Sequence, residues 1–276
     1  MNGFEVCPIC NCIELDQRRM MFPQPYTDFR LVICSQCGHG FRMEAREFYA
    51  NLDIQKSKFE LNASSLNIQV VRWPHRFTLI AREINKLLSR SGRTIDIGCG
   101  TGSWLAVLGA DWEKHGVELS AVAAVIAQRK TGACVHVGPI ETYQTDRISF
   151  DLITAFAVIE HLTDPRRLIK WAFENLRKRG IFVLMTGDRE SRSASRMGAG
   201  WPLYRPKEHV HFFSSKSLSR LAEDEGFQIE RKEWRPMVYS ELGIARRLSR
   251  YAGKAREVLG LVTVPRYDHF YLYLRK

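Results

Sequence analysis

The sequence predicts an α/β fold: a doubly wound, mostly parallel seven-stranded sheet. Three observations carry that expectation. From Thr94 onward, short apolar runs alternate with helical patterns, which is how a parallel sheet with helices on both faces reads. The first run, Thr94-Ile95-Asp96-Ile97, opens into a loop with glycine on alternate positions, Gly98, Gly100 and Gly102. The next run, Gly116-Val117-Glu118-Leu119, closes on an acid. Ligands of such sheets sit beyond the carboxyl ends of the strands, at the point where strand order reverses. The glycine loop and the acid therefore fall where a ligand belongs.

In chain order, the first element is a cysteine module. The chain of 276 residues holds seven cysteines, five of them among the first 37 residues. Cys7-Pro8-Ile9-Cys10 and Cys34-Ser35-Gln36-Cys37-Gly38 are two C-x-x-C pairs, and a strand-like run, 28–33, feeds the second. Two residues between cysteines let a tight turn aim both sulfurs at one ion, and four thiolates suit tetrahedral zinc. The expectation is a zinc ribbon over residues 1–45 with Cys7, Cys10, Cys34 and Cys37 as ligands. Four protein ligands leave no open position, so the ion's role is structural. Cys12 competes for a place but lacks the pair spacing. An odd cysteine count argues against a disulfide framework.

Residues 46–90 form a helical connector, in which apolar residues at 77, 80, 84, 87 and 88 make a stripe over 75–90. Ser91-Gly92 ends it. The sheet domain then occupies 91–276. The pattern predicts strand 94–97, a helix over 103–108, strand 113–118, a helix over 120–130 and a short strand over 133–137. Strand 150–156 and a helix from Pro165 to Lys178 follow, with proline in the first turn. Gly180 breaks that helix before strand 181–185. Residues 188–207, rich in Ser, Arg and Gly with little periodicity, read as a mobile loop over the acceptor site. A helix begins near Ser215, and the alternation at 267–274 reads as a final strand. A basic helical insertion, 236–266, separates the last two strands.

Composition narrows the function classes. The chain is 45% hydrophobic and 26% charged, which is ordinary for a globular domain. No apolar run is long enough to span a bilayer, and the N-terminus has no signal-peptide pattern, so a cytoplasmic location is expected. The net charge of +11 suits anionic partners: a phosphorylated substrate, nucleic acid or an anionic lipid surface.

Two cofactors compete for the glycine loop. The dinucleotide fingerprint is G-x-G-x-x-G; here Ser103 stands where its third glycine would be. The run Asp96-Ile97-Gly98-Cys99-Gly100-Thr101-Gly102 instead resembles the signature of Rossmann-like, class I S-adenosylmethionine (SAM)-dependent methyltransferases. The resemblance spans about residues 70–235. Phe150-Asp151-Leu152-Ile153 with Val158-Ile159-Glu160-His161-Leu162 is similar to the fourth-strand region of that superfamily. Asn175 to Leu184 resembles its turn and fifth strand, with Arg179 in place of a glycine. Glu208-His209-Val210-His211-Phe212-Phe213-Ser214 resembles a later segment of a bacterial subgroup whose members often carry an N-terminal zinc ribbon and act on sugars, glycans or natural products.

The resemblance implies that Asp96, Gly98, Cys99, Gly100, Glu118 and Leu119 bind SAM, with Glu118 accepting from the ribose hydroxyls. It implies that Ile140 and Glu141 lie near the adenine and that Phe156 and Ala157 line the methionine end. Methyl transfer needs the acceptor held in line, and an oxygen or carbon acceptor needs its proton removed. His161, His209, His211 and Tyr204 are the candidates for that chemistry, while Glu160 is assigned to ordering local backbone. Arg189, Arg192, Arg196 and Arg205 are candidates to clamp a phosphate or carboxylate.

The expectation is therefore an enzyme moving a methyl group from SAM to an O (or C or N) atom of a small, anionic acceptor such as a sugar, glycan or natural-product intermediate. The alternatives are an RNA methyltransferase that holds nucleic acid through its ribbon and basic surface, and a non-catalytic SAM-binding module. The insertion's apolar residues from Ile244 to Leu259 fall at helical spacing opposite Arg246, Arg247, Arg250 and Lys254. A helix of that kind either makes peripheral contact with the anionic inner face of a membrane or caps the active site.

Overall fold

A computed structural model of the chain describes residues 5–18, 31–42, 74–88, 91–143, 149–204, 209–237 and 266–276. Its main sheet has seven strands in the order β10-β11-β8-β7-β4-β5-β6. These are β4 (Arg93–Ile97), β5 (Glu113–Glu118), β6 (Cys134–Val137), β7 (Phe150–Phe156), β8 (Leu176–Gly187), β10 (Gln228–Met237) and β11 (Arg266–Arg275). The β4–β5, β5–β6, β4–β7 and β7–β8 pairs are parallel, whereas β11 runs antiparallel to both β8 and β10. The chain leaves β4 toward β5 on one side and returns to β7 on the other, so the switch point lies between β4 and β7.

Alternation along the strands divides the core between the two faces of the sheet. On one face Ile95, Ile153, Phe182, Leu184, Phe270 and Leu272 are buried with Leu168, Ile169 and Ala172 of α3 (Pro165–Asn175) and Leu218, Leu221 and Ala222 of α5 (Ser215–Asp224). On the other, Ile181, Val183, Met185, Tyr271 and Tyr273 meet Phe77, Ile80 and Ile84 of α1 (Pro74–Leu87) and Ala124 and Ala127 of α2 (Ala121–Thr131). Helix ends are capped as their sequences dictate: Ser120, Asp164 and Ser214 each accept a backbone N–H of the first turn.

A second sheet, of four strands, runs β1 (Leu15–Arg18), β2 (Leu31–Cys34), β3 (Gly40–Arg42) and β9 (His211–Phe212). Its fourth strand comes from late in the chain: Gly40 pairs with Phe212 and Phe41 with His211. The cysteine module is therefore built into the sheet domain, and Cys7, Ile9, Cys34 and Cys37 belong to the same buried cluster as α3 and α5.

Three expectations need correction. The segment after the glycine loop holds a short 3-10 turn, Leu105–Val107, rather than a helix over 103–108; Gly109 follows too soon for a longer one. Helix α3 stops at Asn175, not Lys178, and β8 starts at Leu176. Its pairing with β7 jumps from Leu176 to Ile181, and Arg179 takes the left-handed φ of 69° that makes the turn. The segment expected to be a mobile loop contains helix α4 (Arg192–Met197) and a 3-10 turn at Gly198–Gly200. Trp201, Leu203 and Tyr204 then bury against Leu31 and Phe212. Arg205 and the basic stretch 244–259 lie outside the described residues, as does the 46–73 part of the 46–90 connector.

Candidate active site

The crevice at the switch point is built from the loops after β4, β5 and β7. Gly98 has a φ of 72°, and a Cβ there would come within 2.5 Å of Val158 Cγ2. Only glycine lets the β4 loop pass the β7 loop this closely. Gly100, with a φ of 52°, faces open space: a Cβ on it would meet nothing within 4 Å. The crevice beside it is room that any side chain would fill. Cys99 is turned the other way, its thiol buried against Gly116 and pushed up by that burial. It offers the crevice only backbone.

Glu118 stands at the tip of β5. Its Oε2 accepts the Gly100 N–H at 2.8 Å and its Oε1 accepts the Ser120 N–H at 2.9 Å. Each carboxylate oxygen keeps a further lone pair for a ligand. Leu119 beside it is half-buried. Asp96, at the end of β4, is buried and accepts the Thr154 hydroxyl at 2.7 Å. Burial pushes its carboxyl up to about 7, opposed by the Thr154 bond and reinforced by the charge of Glu118. An ammonium group at this carboxyl would supply the charge that its surroundings lack. Ile140 is buried and Glu141 exposed in a 3-10 turn that follows β6, where Gly138 N–H reaches Glu118 O.

Past β7 the chain turns sharply. Ala157 takes a φ of 55°, uncommon for a residue with a Cβ, and its N–H crosses to Met185 O. Phe156 stacks on Phe77 with ring centroids 5.6 Å apart and meets Trp104 and Tyr271 edge-on. Arg76, on the same stripe of α1 as Ile80 and Ile84, lies near the buried Tyr271; burial raises that phenol while the charges of Arg76 and Arg235 oppose the rise. Arg76 was missed as a candidate. Its signal is a charge on the buried stripe of a helix.

The predicted histidines part company. His161, in the turn Ile159–His161, and His209 meet edge-to-face with ring centroids 4.7 Å apart. The Glu160 carboxylate joins them, and one donor atom from each of the three lies within 4.8 Å of the others. His211 faces the cysteine module instead: its Nδ1 lies 3.0 Å from His39 Nε2, and burial pushes it down to about 4. Tyr204 packs edge-on against Trp201 and Phe212. Arg189 is committed to the module, donating to Gly38 O and pairing with Glu190, while Arg192 and Arg196 are exposed.

In the module, Cys7 and Cys37 sulfurs lie 3.6 Å apart, Cys10 and Cys34 3.5 Å, and all four within 4.8 Å. Metal–sulfur bonds of about 2.3 Å would set tetrahedral sulfurs about 3.8 Å apart, so the donor set fits a metal ion. A hydrogen bond from Cys7 brings the Cys37 thiol down to about 5, whereas the same bond and burial push Cys7 up. Cys12 is excluded: its sulfur turns to the Glu14 backbone, accepting the N–H at 3.3 Å.

Comparison with known proteins bears on the family and the fold. A family model described as a methyltransferase domain matches residues 72–232. A protein of Mycolicibacterium smegmatis described as a probable S-adenosylmethionine-dependent methyltransferase is 28% identical over 51% of this chain and 54% of its own. A ubiquinone biosynthesis O-methyltransferase of Idiomarina loihiensis is 22% identical over 54% of this chain and 66% of its own. The chain thus spans about half to two thirds of those relatives. The crystal structure of a Thermotoga maritima SAM-dependent methyltransferase, described as a possible histamine N-methyltransferase, matches with a TM-score of 0.52 at 24% identity, covering 79% of this chain and 98% of that one. At that identity the likeness shows the fold.

Proposed function

Because the chain belongs to the methyltransferase-domain family, whose model covers most of its sheet domain, we propose that it moves a methyl group from S-adenosylmethionine to an oxygen, or a carbon or nitrogen, of a small anionic acceptor. A sugar, glycan or natural-product intermediate is the acceptor class. The observation that carries this reading is the Glu118 carboxylate, held by two backbone N–H groups beside the open face of Gly100.

The residues fit the cofactor. Glu118 accepts from the ribose hydroxyls, Gly98 and Gly100 let the ligand approach the peptide, and the loops at Leu119 and Ile140-Glu141 border the adenine. Asp96 receives the ammonium group, and Phe156 and Ala157 flank the methionine chain. When bound, SAM supplies a methyl group activated by its sulfonium. The chain's part is to hold the acceptor in line while it loses its proton, and the Glu160–His161–His209 cluster beyond β7 is the place for that. The exposed Arg192 and Arg196 and the net charge of +11 favour an anionic acceptor. Cys7, Cys10, Cys34 and Cys37 hold a structural zinc ion.

Calorimetry with SAM, followed by assay of S-adenosylhomocysteine release against pools of nucleotide sugars, glycans and phenolic acids, tests the proposal. Binding heat that Glu118→Ala abolishes, with turnover on one pool, is the expected result. A folded protein that gives no heat with SAM overturns it.

A further inference from the structure

The cluster beyond β7 has the composition and the preparation of a metal site. Its members come from two places in the chain: Glu160 and His161 from the turn after β7, and His209 from the residue before Val210. Those segments are clamped together by the Val210 N–H donating to Glu160 O at 2.8 Å, and the turn is closed by His161 N–H on Val158 O at 2.9 Å. The donor atoms thus converge on a rigid backbone frame.

His209 is also oriented as ligating imidazoles are. Its Nδ1 lies 2.9 Å from Leu203 O. A carbonyl only accepts, so Nδ1 carries the proton and Nε2 keeps the lone pair. Fixing the tautomer through the second nitrogen is the outer-shell arrangement that metal-binding histidines use. Glu160 is only 5% exposed, and a carboxylate buried among imidazoles gains most from a cation. Glu160 and His209 border a small cavity that His211 also lines, its Nδ1 turned to His39.

We propose that Glu160, His161 and His209 hold a divalent first-row transition-metal ion, distinct from the ion of the cysteine module, whose remaining positions take oxygen atoms of the acceptor. Two imidazoles and one carboxylate suit such an ion and leave positions open. The ligand class follows: an acceptor with two neighbouring oxygens, a diol or a hydroxy-carbonyl. A hydroxyl bound there gives up its proton to water more readily, because the cation stabilises the oxyanion. This role deepens the methyl-transfer reading and rests on it; the ion site itself does not.

The test uses the full chain with zinc retained at its four thiolates, checked by metal analysis, and Co2+ as the probe. Saturable binding of one Co2+ per chain is expected, with visible absorption that lacks a thiolate charge-transfer band. His209→Ala and Glu160→Gln should each weaken it at least tenfold while the variants stay folded and keep wild-type zinc content and SAM heat. Should His209→Ala fail to fold, His161→Asn supplies the same comparison. No saturable Co2+ binding, binding with a thiolate band, or binding unchanged in the variants overturns the proposal. Co2+ binding without SAM heat upholds the ion site and sinks only the methyl-transfer reading.

Discussion

The backbone N–H of Gly100 donates to Glu118 Oε2 at 2.8 Å, joining two loops across 18 positions of sequence. The carboxylate is aimed before any ligand arrives, and such preorganisation lowers the cost of binding. Glu118→Gln replaces one acceptor with an amide NH2 that faces a backbone donor. The expected cost is about 1.5–3 kcal/mol, so the dissociation constant for SAM should rise by about 10- to 100-fold. Calorimetry on the folded variant measures it; wild-type affinity would show that Glu118 does not grip the ligand.

Asp96 predicts an unusual pH dependence. Its folded carboxyl sits at about 7, above the 3.8 of an unperturbed aspartate. The folded state therefore holds a proton that the unfolded state has released, and this group's contribution to stability is lost as pH rises from about 4 to 7, then stays constant. Asp96→Asn removes the slope. In urea titrations the variant should gain on wild type from pH 5 to pH 8 while binding SAM more weakly. A stability difference that does not vary with pH would refute the assignment.

Metal content separates the cysteines. Cys10→Ser should lose the module's ion and lower the melting temperature, because the ion's binding energy is also folding energy. Cys12→Ser should keep full metal content, its sulfur being engaged with Glu14 backbone. Equal loss in both variants would place Cys12 in the ligand set.

Arg179 stores strain. Its φ of 69° costs a residue with a Cβ about 1–2 kcal/mol. The side chain is exposed, and its N–H bond to Lys276 O survives substitution. After the extra chain entropy of glycine, Arg179→Gly should stabilise by about 0.5–1 kcal/mol, raising the melting temperature by about 1–2 °C. A fall would mean that the guanidinium does unseen work.

The α/β order, the glycine loop and the acid after β5 were legible because each rests on local chemistry: apolar period, glycine geometry and strand ends. The boundary between α3 and β8 was not, because Arg179 makes a turn that glycine usually announces. Helix α4 has six residues, too few to display a period. The grouping of Cys7, Cys10, Cys34 and Cys37 was readable from spacing, yet setting Cys12 apart needed the Glu14 backbone in place. The division of labour between His209 and His211 was hidden for a different reason. Residues two apart in a strand share a face, but β9 begins only at His211, where Phe41 pairs with it, so His209 lies before the strand and turns elsewhere.

That pairing also constrains how the molecule is made. Strands β1 to β3 are made before β4 to β8 and wait for a partner until residues 211 and 212 emerge. Through that interval β3 keeps a bare margin of peptide groups, the kind of edge that recruits foreign strands. An N-terminal fragment cut after residue 45 should therefore clump when produced alone, and supplying the missing strand, not only the metal, should keep it in solution.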